Sequence, residues 1–370
     1  MKQLPQLLLY FLVFTAYCAR AQDRSLENTK QETGSFQTGT DLFNKGDYAG
    51  AINNFKELAQ KHPSDSAFST LGYAYLLTEN YPLALEAVNK SLAYNDERAA
   101  TYTIRGMIYR KQEEFDLAIA DFTKAIALAP DETAAYTNRQ EAYMNKGYFQ
   151  QVIDDCSKII SIEPTNQRAY RNRATAYFFM QNIDHSIADA TKAVQLDSTD
   201  IQAYKVRAGA YMMQNEQYDR ALADFNRVIA LDSGVAEHFA NRAAIYVYKA
   251  DYPAAIADFT RAIGLDPTTQ AATYGERGKA YVFSGDLERA LQDFDKAVAL
   301  EPSNGEYHRN RGRGLFYMKK YDLAILAYTQ AIELNPEDAD AWTYRAEAYE
   351  KSGNASSAEA DRMKAREMAD

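Results

Sequence analysis

Cysteine, histidine and tryptophan are scarce in this 370-residue chain, which has two Cys, four His and one Trp. Cys18 lies in an apolar N-terminal segment, and if that segment is removed, Cys156 is the only remaining thiol and no intramolecular disulfide can form. The histidines lie far apart and outside any recognised metal or catalytic motif: His62, His185, His238 and His308. We therefore expect no metal, no cofactor and no catalytic residue, and we predict that the protein is not an enzyme.

Positive charge and long apolar runs are also lacking. Lys and Arg number 41 against 51 Asp and Glu, which gives a formal net charge of -10. A nucleic-acid-binding surface needs a positive footprint, so this balance argues against a nucleic-acid partner. No uninterrupted apolar run reaches the roughly 20 residues that a membrane-spanning helix needs, so we expect no membrane span.

The N terminus carries a short apolar stretch, residues 7–14, which follows Lys2 and precedes the small residues Ala19 and Ala21. This order is typical of a secretory signal peptide. We predict a signal peptide over residues 1–21, cleaved near Ala21, then a polar linker over residues 22–32, and export to the periplasm or the extracellular space. Lipoprotein anchoring at Cys18 is the alternative, which the bulky Tyr17 disfavours.

From residue 33 to residue 370 the sequence repeats with a period of about 34 residues. The clearest copies each contain two helical patterns and end in proline, and they span residues 102–130, 136–164, 239–267, 274–302 and 308–336. Weaker copies bring the total to about ten. The pattern predicts an all-α solenoid of about ten helical hairpins, the last of which has a polar final helix that acts as a C-terminal cap.

Residues at fixed offsets define each copy. One copy holds Gly106, Tyr109, Phe115, Ala118, Phe122, Ala125 and Pro130, and another holds Gly278, Tyr281, Ala290, Phe294, Ala297 and Pro302. These positions resemble the signature of the tetratricopeptide repeat (TPR). The resemblance implies a right-handed superhelix with a concave groove that binds proteins. Gly106 and Gly278 are expected to face Ala118 and Ala290, because small residues let helix axes approach to about 8 to 10 Å.

Arginine recurs at one repeat position, and aspartate recurs at one position on the following helix. The arginines are Arg105, Arg139, Arg173, Arg207, Arg242, Arg277, Arg311 and Arg345. An early repeat with Leu71 in place of Arg also has Ala87 in place of Asp, and only the repeat of Arg311 breaks the pairing, by having Ala327. This covariation favours structural Arg–Asp bridges over a stripe that binds polyanions.

Four of these arginines follow an asparagine, in Asn138, Asn172, Asn241 and Asn310. In TPR proteins this position usually points into the groove, where an amide can hold a peptide backbone because it both donates and accepts. An ordinary surface role is the alternative. The further residues of the carboxylate clamp in TPR co-chaperones are missing, since Thr103 and Met107 stand in the repeat before Asn138. We therefore reject that clamp.

Apolar residues occur in pairs near the end of the first helix of several copies. The second member of each pair is expected to project towards the groove: Phe179, Met213, Tyr248, Phe283 and Tyr317. Packing in the core is the alternative. Lys279, Arg309 and Arg313 form a basic spot nearby, although its mixture with glutamates is typical of a solvated face.

Cys156 stands where Phe122 stands in the preceding copy, so we expect a buried core thiol. The residues and the resemblance together predict a non-catalytic scaffold or adaptor that binds a partner's protein or peptide segment in the groove, in the periplasm or cell envelope. A self-associating component of an envelope assembly and a non-catalytic subunit of an enzyme complex are the alternatives.

Overall fold

The computed structural model describes residues 26–214, 217–266 and 271–368. The predicted signal peptide, Cys18 and the start of the predicted linker lie outside these residues. The described part consists of twenty α-helices and contains no strand, which confirms the all-α prediction. Its helices belong to two compact units, one that ends at Gln181 and one that begins at Asn182.

The first unit contains nine helices in its described part. They are α1 (Leu26–Asn44), α2 (Tyr48–Lys61), α3 (Asp65–Leu77), α4 (Tyr81–Tyr94), α5 (Ala99–Lys111), α6 (Phe115–Leu128), α7 (Thr133–Asn145), α8 (Phe149–Ile162) and α9 (Gln167–Phe179). Consecutive helices from α1 to α8 pack as four hairpins, and α9 packs on α8. Because α1 begins at Leu26, helical structure starts inside the segment that the sequence suggested as a linker.

The second unit contains eleven helices in its described part. They are α10 (Ile183–Leu196), α11 (Ile201–Met213), α12 (Tyr218–Leu231), α13 (Ala236–Tyr248), α14 (Tyr252–Leu265), α15 (Ala271–Ser284), α16 (Leu287–Leu300), α17 (Gly305–Tyr317), α18 (Tyr321–Leu334), α19 (Ala339–Lys351) and α20 (Ala355–Glu367). The helices from α11 to α20 pack as five hairpins, and α10 packs on α11. Each unit is therefore an α-solenoid, as predicted.

Two of the hairpin turns show the local chemistry that forms them. Gly285 adopts a φ of +86° between α15 and α16, and Asp286 then accepts a hydrogen bond from the backbone N–H of Arg289. The left-handed residue ends the first helix, and the aspartate satisfies an N–H group that the second helix leaves free at its start. Ala250 and Asp251 play the same two roles between α13 and α14.

Helix packing within the hairpins depends on small residues. Ala118 and Ala290 are fully buried. A Cβ atom on Gly106 would lie 2.6 Å from the ring of Phe122, and one on Gly278 would lie 2.6 Å from the ring of Phe294. These rings are the nearest neighbours of the two glycine positions, a contact that we did not predict from the sequence, and the contact of the glycines with Ala118 and Ala290 stays a prediction. Each glycine makes room for an aromatic ring, because the ring is the longer side chain and reaches across the interface.

One hairpin solves the same packing problem with different residues. Gln140 occupies the glycine position and Cys156 the aromatic position, and both side chains are at most 1% exposed. The thiol of Cys156 donates a hydrogen bond to Oε1 of Gln140. The larger residue has moved to the first helix and the smaller to the second, which preserves the packed volume. This confirms the prediction of a buried core thiol.

Candidate functional site

The first helices of successive hairpins lie side by side. Contacts join α3, α5 and α7 in the first unit, and α13, α15, α17 and α19 in the second unit. A residue type that recurs at one position of these helices therefore forms a row within a unit. We call the surface that the odd-numbered helices form within each unit the first-helix face.

Six of the predicted Arg–Asp bridges are present in the described part of the chain. Arg105 donates from Nε and Nη2 to the two carboxylate oxygens of Asp121, at 2.7 and 2.8 Å. The same two-bond geometry joins Arg139 to Asp155, Arg207 to Asp224, Arg242 to Asp258, Arg277 to Asp293 and Arg345 to Asp361. The hydrogen bond to Asp121 raises the pKa of Arg105, so the guanidinium stays charged.

Each arginine also makes two contacts that we did not predict. Arg105 donates from Nη1 to Oδ1 of Asn89 on the second helix of the preceding hairpin, at 2.9 Å, and it lies 5.5 Å from the ring centre of Tyr102. The recurring signals were a polar residue two positions after most of the aspartates, such as Thr123, and an aromatic residue three positions before each bridged arginine. These arginines connect three helices in two repeats, so their role is to stabilise the fold.

Arg311 is the predicted exception. Ala327 offers it no carboxylate, and its Nε donates instead to Asp295, at 2.6 Å. Both side chains are more than a third exposed, so this pair contributes less than the buried pairs.

The four asparagines, which we call the asparagine row, are more buried and more often hydrogen-bonded within the protein than we expected. Asn138 and Asn310 are only 4% and 3% exposed, whereas Asn172 and Asn241 are half-buried. Nδ2 of Asn138 donates to the carbonyl oxygen of Ala134 at 2.9 Å, within its own helix. Nδ2 of Asn241 and of Asn310 donates to the glutamate four residues earlier, at 3.3 and 3.4 Å. A peptide backbone would have to replace these bonds, and its binding to the four asparagines stays a prediction.

The apolar row is exposed. The exposed fractions are 57% for Phe179, 53% for Met213, 67% for Tyr248, 58% for Phe283 and 48% for Tyr317. Three of these rings stack on the first residue of the second helix in the preceding hairpin: Phe179 on Phe149 at 5.0 Å, Tyr248 on Tyr218 at 6.1 Å, and Phe283 on Tyr252 at 5.2 Å between ring centres. The interplanar angles are 12 to 14°. One ring face is thus held by the protein while the other side of the ring remains open.

In the second unit, two of the predicted residues meet. Phe283 on α15 and Asn310 on α17 line the same small pocket of about 20 Å³, together with Lys279, Val282, Phe294 and Arg313. A cavity of this size holds about one water molecule. The tip of a polar side chain fits it better than a whole ligand.

The two cations at this pocket have different partners. Lys279 donates to Glu276 at 2.8 Å and to Glu306 at 2.9 Å, and these bonds outweigh burial to raise the pKa of Lys279. Arg313 lies 5.2 Å from the ring centre of Tyr344, and no carboxylate lies within 4 Å of its guanidinium in the described part of the chain. Arg313 is therefore the pocket cation that has no direct carboxylate partner among the described residues.

Comparison with known families identifies the repeats. Models described as tetratricopeptide repeat match residues 36–101, 99–132, 167–200 and 271–304, and a model described as TPR repeat matches residues 312–353. The chain carries tetratricopeptide repeats. The TPR segments matched include residues of both units, in agreement with the helical hairpins described above.

Solved structures similar to this chain are also TPR proteins or their complexes. A tetratricopeptide repeat protein from Parabacteroides merdae is 21% identical, with 77% of this chain and 99% of that chain covered and a TM-score of 0.45. YrrB, described as a TPR protein with an unusual peptide-binding site, is 21% identical, with coverage of 50% and 95% and a TM-score of 0.44. The Cut9–Hcn1 complex of the APC/C is 13% identical, with coverage of 96% and 95% and a TM-score of 0.48. No curated protein matches this chain.

The residues that the structure describes, 26–214, 217–266 and 271–368, lack two further features. Within these ranges no helix has the length and apolar character needed to cross a membrane. The same ranges hold no group of three or more His, Cys, Asp or Glu side chains placed to bind a metal ion.

Proposed function

We propose that this TPR protein is a non-catalytic adaptor that binds a protein segment of a partner on its first-helix face. The observation that carries this proposal is the row of large apolar side chains that remain about half exposed at the ends of successive first helices. Apolar side chains that recur in register on a surface mark interaction sites more often than single exposed ones do.

The stacking contacts support this role energetically. Tyr248 and Phe283 are each held parallel to a second ring, so their rotamers are set before a partner arrives. Binding then costs less conformational entropy, because these side chains are already ordered before the partner binds. Aromatic anchors of this kind dominate the energy of many protein interfaces.

Charge at the pocket favours a particular kind of segment. Arg313 is half-buried without a carboxylate, and it lies beside Asn310 and Phe283. A segment with an apolar residue next to an acidic one would cover Phe283 and neutralise Arg313 together. Charge-assisted hydrogen bonds to arginine are stronger than neutral ones, so the acidic residue would add both affinity and register.

We also propose that the protein is exported, on the strength of the signal-peptide pattern over residues 1–21. Expression of the full chain in a bacterial host with a functional secretion system tests this. A secreted or periplasmic product whose N terminus lies near Gln22 is expected, and an uncleaved cytoplasmic product would refute the proposal.

Peptides selected from a random library on the purified chain test the binding role. The face variant, with Tyr248→Ala, Phe283→Ala and Tyr317→Ala, is expected to lose at least about tenfold in affinity for them. A matched control changes three exposed apolar residues elsewhere, Leu117, Leu326 and Met363, to Ala. Equal affinity of the face variant and the wild type would place binding on another surface.

Two additional measurements sharpen the outcome. Arg313→Gln is expected to weaken the binding of acidic peptides more than that of neutral ones, because it removes a positive charge that has no direct carboxylate partner and keeps most of the side-chain volume. Light scattering on the wild-type chain distinguishes the adaptor from a self-associating scaffold. A mass that rises with concentration, and falls in the face variant, would favour the scaffold.

A further inference from the structure

The hairpin formed by α3 and α4 lacks the arginine that joins second helices elsewhere. In the next hairpin, the guanidinium of Arg105 lies between Asp121 on α6 and Asn89 on α4 and connects the two helices. At the equivalent places, Leu71 has no group that can reach across to α2, and Ala87 has no carboxylate. The space between second helices α2 and α4 is therefore not bridged in this way.

A cavity of about 320 Å³ occupies this space. We call it the α2–α4 cleft, and its lining residues are Lys56, Ala59 and Gln60 of α2, Phe68, Leu71 and Tyr75 of α3, and Leu83, Glu86, Ala87 and Lys90 of α4. Sites for small molecules typically begin at about 300 Å³, so the volume suffices for a compact ligand. None of the lining residues belongs to the asparagine or apolar rows, and the inference does not rest on the proposed function.

The walls of the cleft are those of an arginine slot without its arginine. Elsewhere the guanidinium lies between two aromatic rings, as Arg139 lies 5.7 Å from Tyr136 and 5.6 Å from Tyr143. Phe68 and Tyr75 occupy the same two positions around Leu71. The two aromatic side chains are retained, whereas Leu71 stands where the other hairpins have the arginine. This surface suits an apolar body.

The rim of the cleft carries one unbalanced positive charge. Lys90 donates to Glu86 at 2.7 Å, so these two charges compensate each other. Lys56 is exposed, and no carboxylate lies within 4 Å of its ammonium group in the described part of the chain. A cationic ligand is disfavoured, because Ala87 has replaced the aspartate that would have paired with it.

We propose that the α2–α4 cleft binds a small amphiphile that has an apolar body, the size of a ring system or a short acyl chain, and one anionic group held by Lys56. The apolar body lies on Leu71 between Phe68 and Tyr75. The anionic group remains at the rim, where it reaches the ammonium group without losing all of its water.

Calorimetric titration of the full chain with three probes of equal tail length tests this: octanoate, octanol and octylammonium. Octanoate is expected to bind up to about fivefold more tightly than octanol, because the charge pair with the exposed Lys56 is largely screened by water, and octylammonium is expected to bind more weakly than octanol. Equal binding of octanoate and octylammonium, or no binding of octanoate, would overturn the proposal.

The chain's own repeats provide the decisive variant. Leu71→Arg with Ala87→Asp rebuilds the pair found in the next hairpin and fills the cleft, so octanoate binding is expected to fall by at least about tenfold. Lys56→Glu is a surface change that should reverse the preference towards octylammonium even if the filled variant fails to fold. Lys296→Gln, which removes an exposed lysine in the second unit, is the matched control and should bind as the wild type does. Undiminished octanoate binding by a folded filled variant, or an unchanged preference in Lys56→Glu, would refute the site.

Discussion

The Arg–Asp bridge of the last hairpin allows the energetic role of these pairs to be measured directly. Arg345 binds both carboxylate oxygens of Asp361 at 2.7 and 2.9 Å and donates to Thr329 of the preceding hairpin at 2.9 Å. Its guanidinium lies 4.8 Å from the ring centre of Trp342, the only tryptophan of the chain. Trp342 is thus a built-in fluorescent reporter of the hairpin in which the bridge is broken.

Asp361→Ala leaves the arginine with only 12% of its side chain exposed and without its carboxylate. Breaking a fully buried ion pair costs about 3 to 5 kcal/mol. Because Arg345 keeps its bond to Thr329 and some access to water, we expect a smaller loss, about 2 to 3 kcal/mol. At a urea dependence of about 2 kcal/mol per molar, the midpoint of the Trp342 transition should fall by about 1 to 1.5 M.

Two further variants separate the pair from the residues that form it. Arg345→Leu with Asp361→Ala reproduces the Leu71 and Ala87 of an earlier hairpin, and it should cost about 1 kcal/mol or less, because no unpaired charge remains. Glu350→Ala removes a surface partner of Arg362 that joins the same two helices, and it should cost about 0 to 1 kcal/mol. If Asp361→Ala were no more destabilising than either variant, the bridges would contribute little to the fold.

Two other predictions follow from buried polar groups. Burial, together with the charge of Lys205, lowers the pKa of His238 below its ordinary 6.5, so the unfolded chain binds a proton at a pH where the folded chain does not. The free energy of unfolding should therefore decline as the pH falls below about 6.5. In urea titrations, His238→Ala should show a smaller decline between about pH 7 and pH 5 than the wild type, and equal declines would contradict this. Cys156→Phe places a ring against Gln140 and should lower the free energy of unfolding by about 1 to 3 kcal/mol, whereas adding Gln140→Gly should restore most of that loss. A double variant no more stable than Cys156→Phe alone would show that the two sites do not compensate each other.

The sequence allowed the fold and the main ionic pairs to be predicted because both repeat. A period shared by many copies identifies hairpins, and the joint loss of Arg and Asp in the repeat of Leu71 and Ala87 identified the partners before any distance was known. The exception at Arg311 was predictable for the same reason. Covariation between repeats within one chain gives the information that an alignment of relatives would otherwise provide.

Contacts between neighbouring repeats were harder to predict. The stacking of Phe283 on Tyr252 joins the end of one helix to the start of a helix in the preceding hairpin, and the period alone does not state how far successive hairpins are displaced. The contact of Gly278 with the ring of Phe294 was not predicted, because a small residue indicates close approach without indicating which side chains line the space. The burial of Asn138 was missed because a polar residue beside a charged one is usually exposed.

The repeats also explain where selectivity is expected to lie. Most guanidinium groups of the Arg–Asp row are saturated by bonds within the fold, so they cannot distinguish one partner from another. Recognition must then depend on positions where the pattern fails. Arg313 has no carboxylate beside it, and Leu71 leaves a cleft where an arginine would have filled the space. In an array whose recurring contacts stabilise the fold, the residues that depart from the repeat are the ones that remain available for binding.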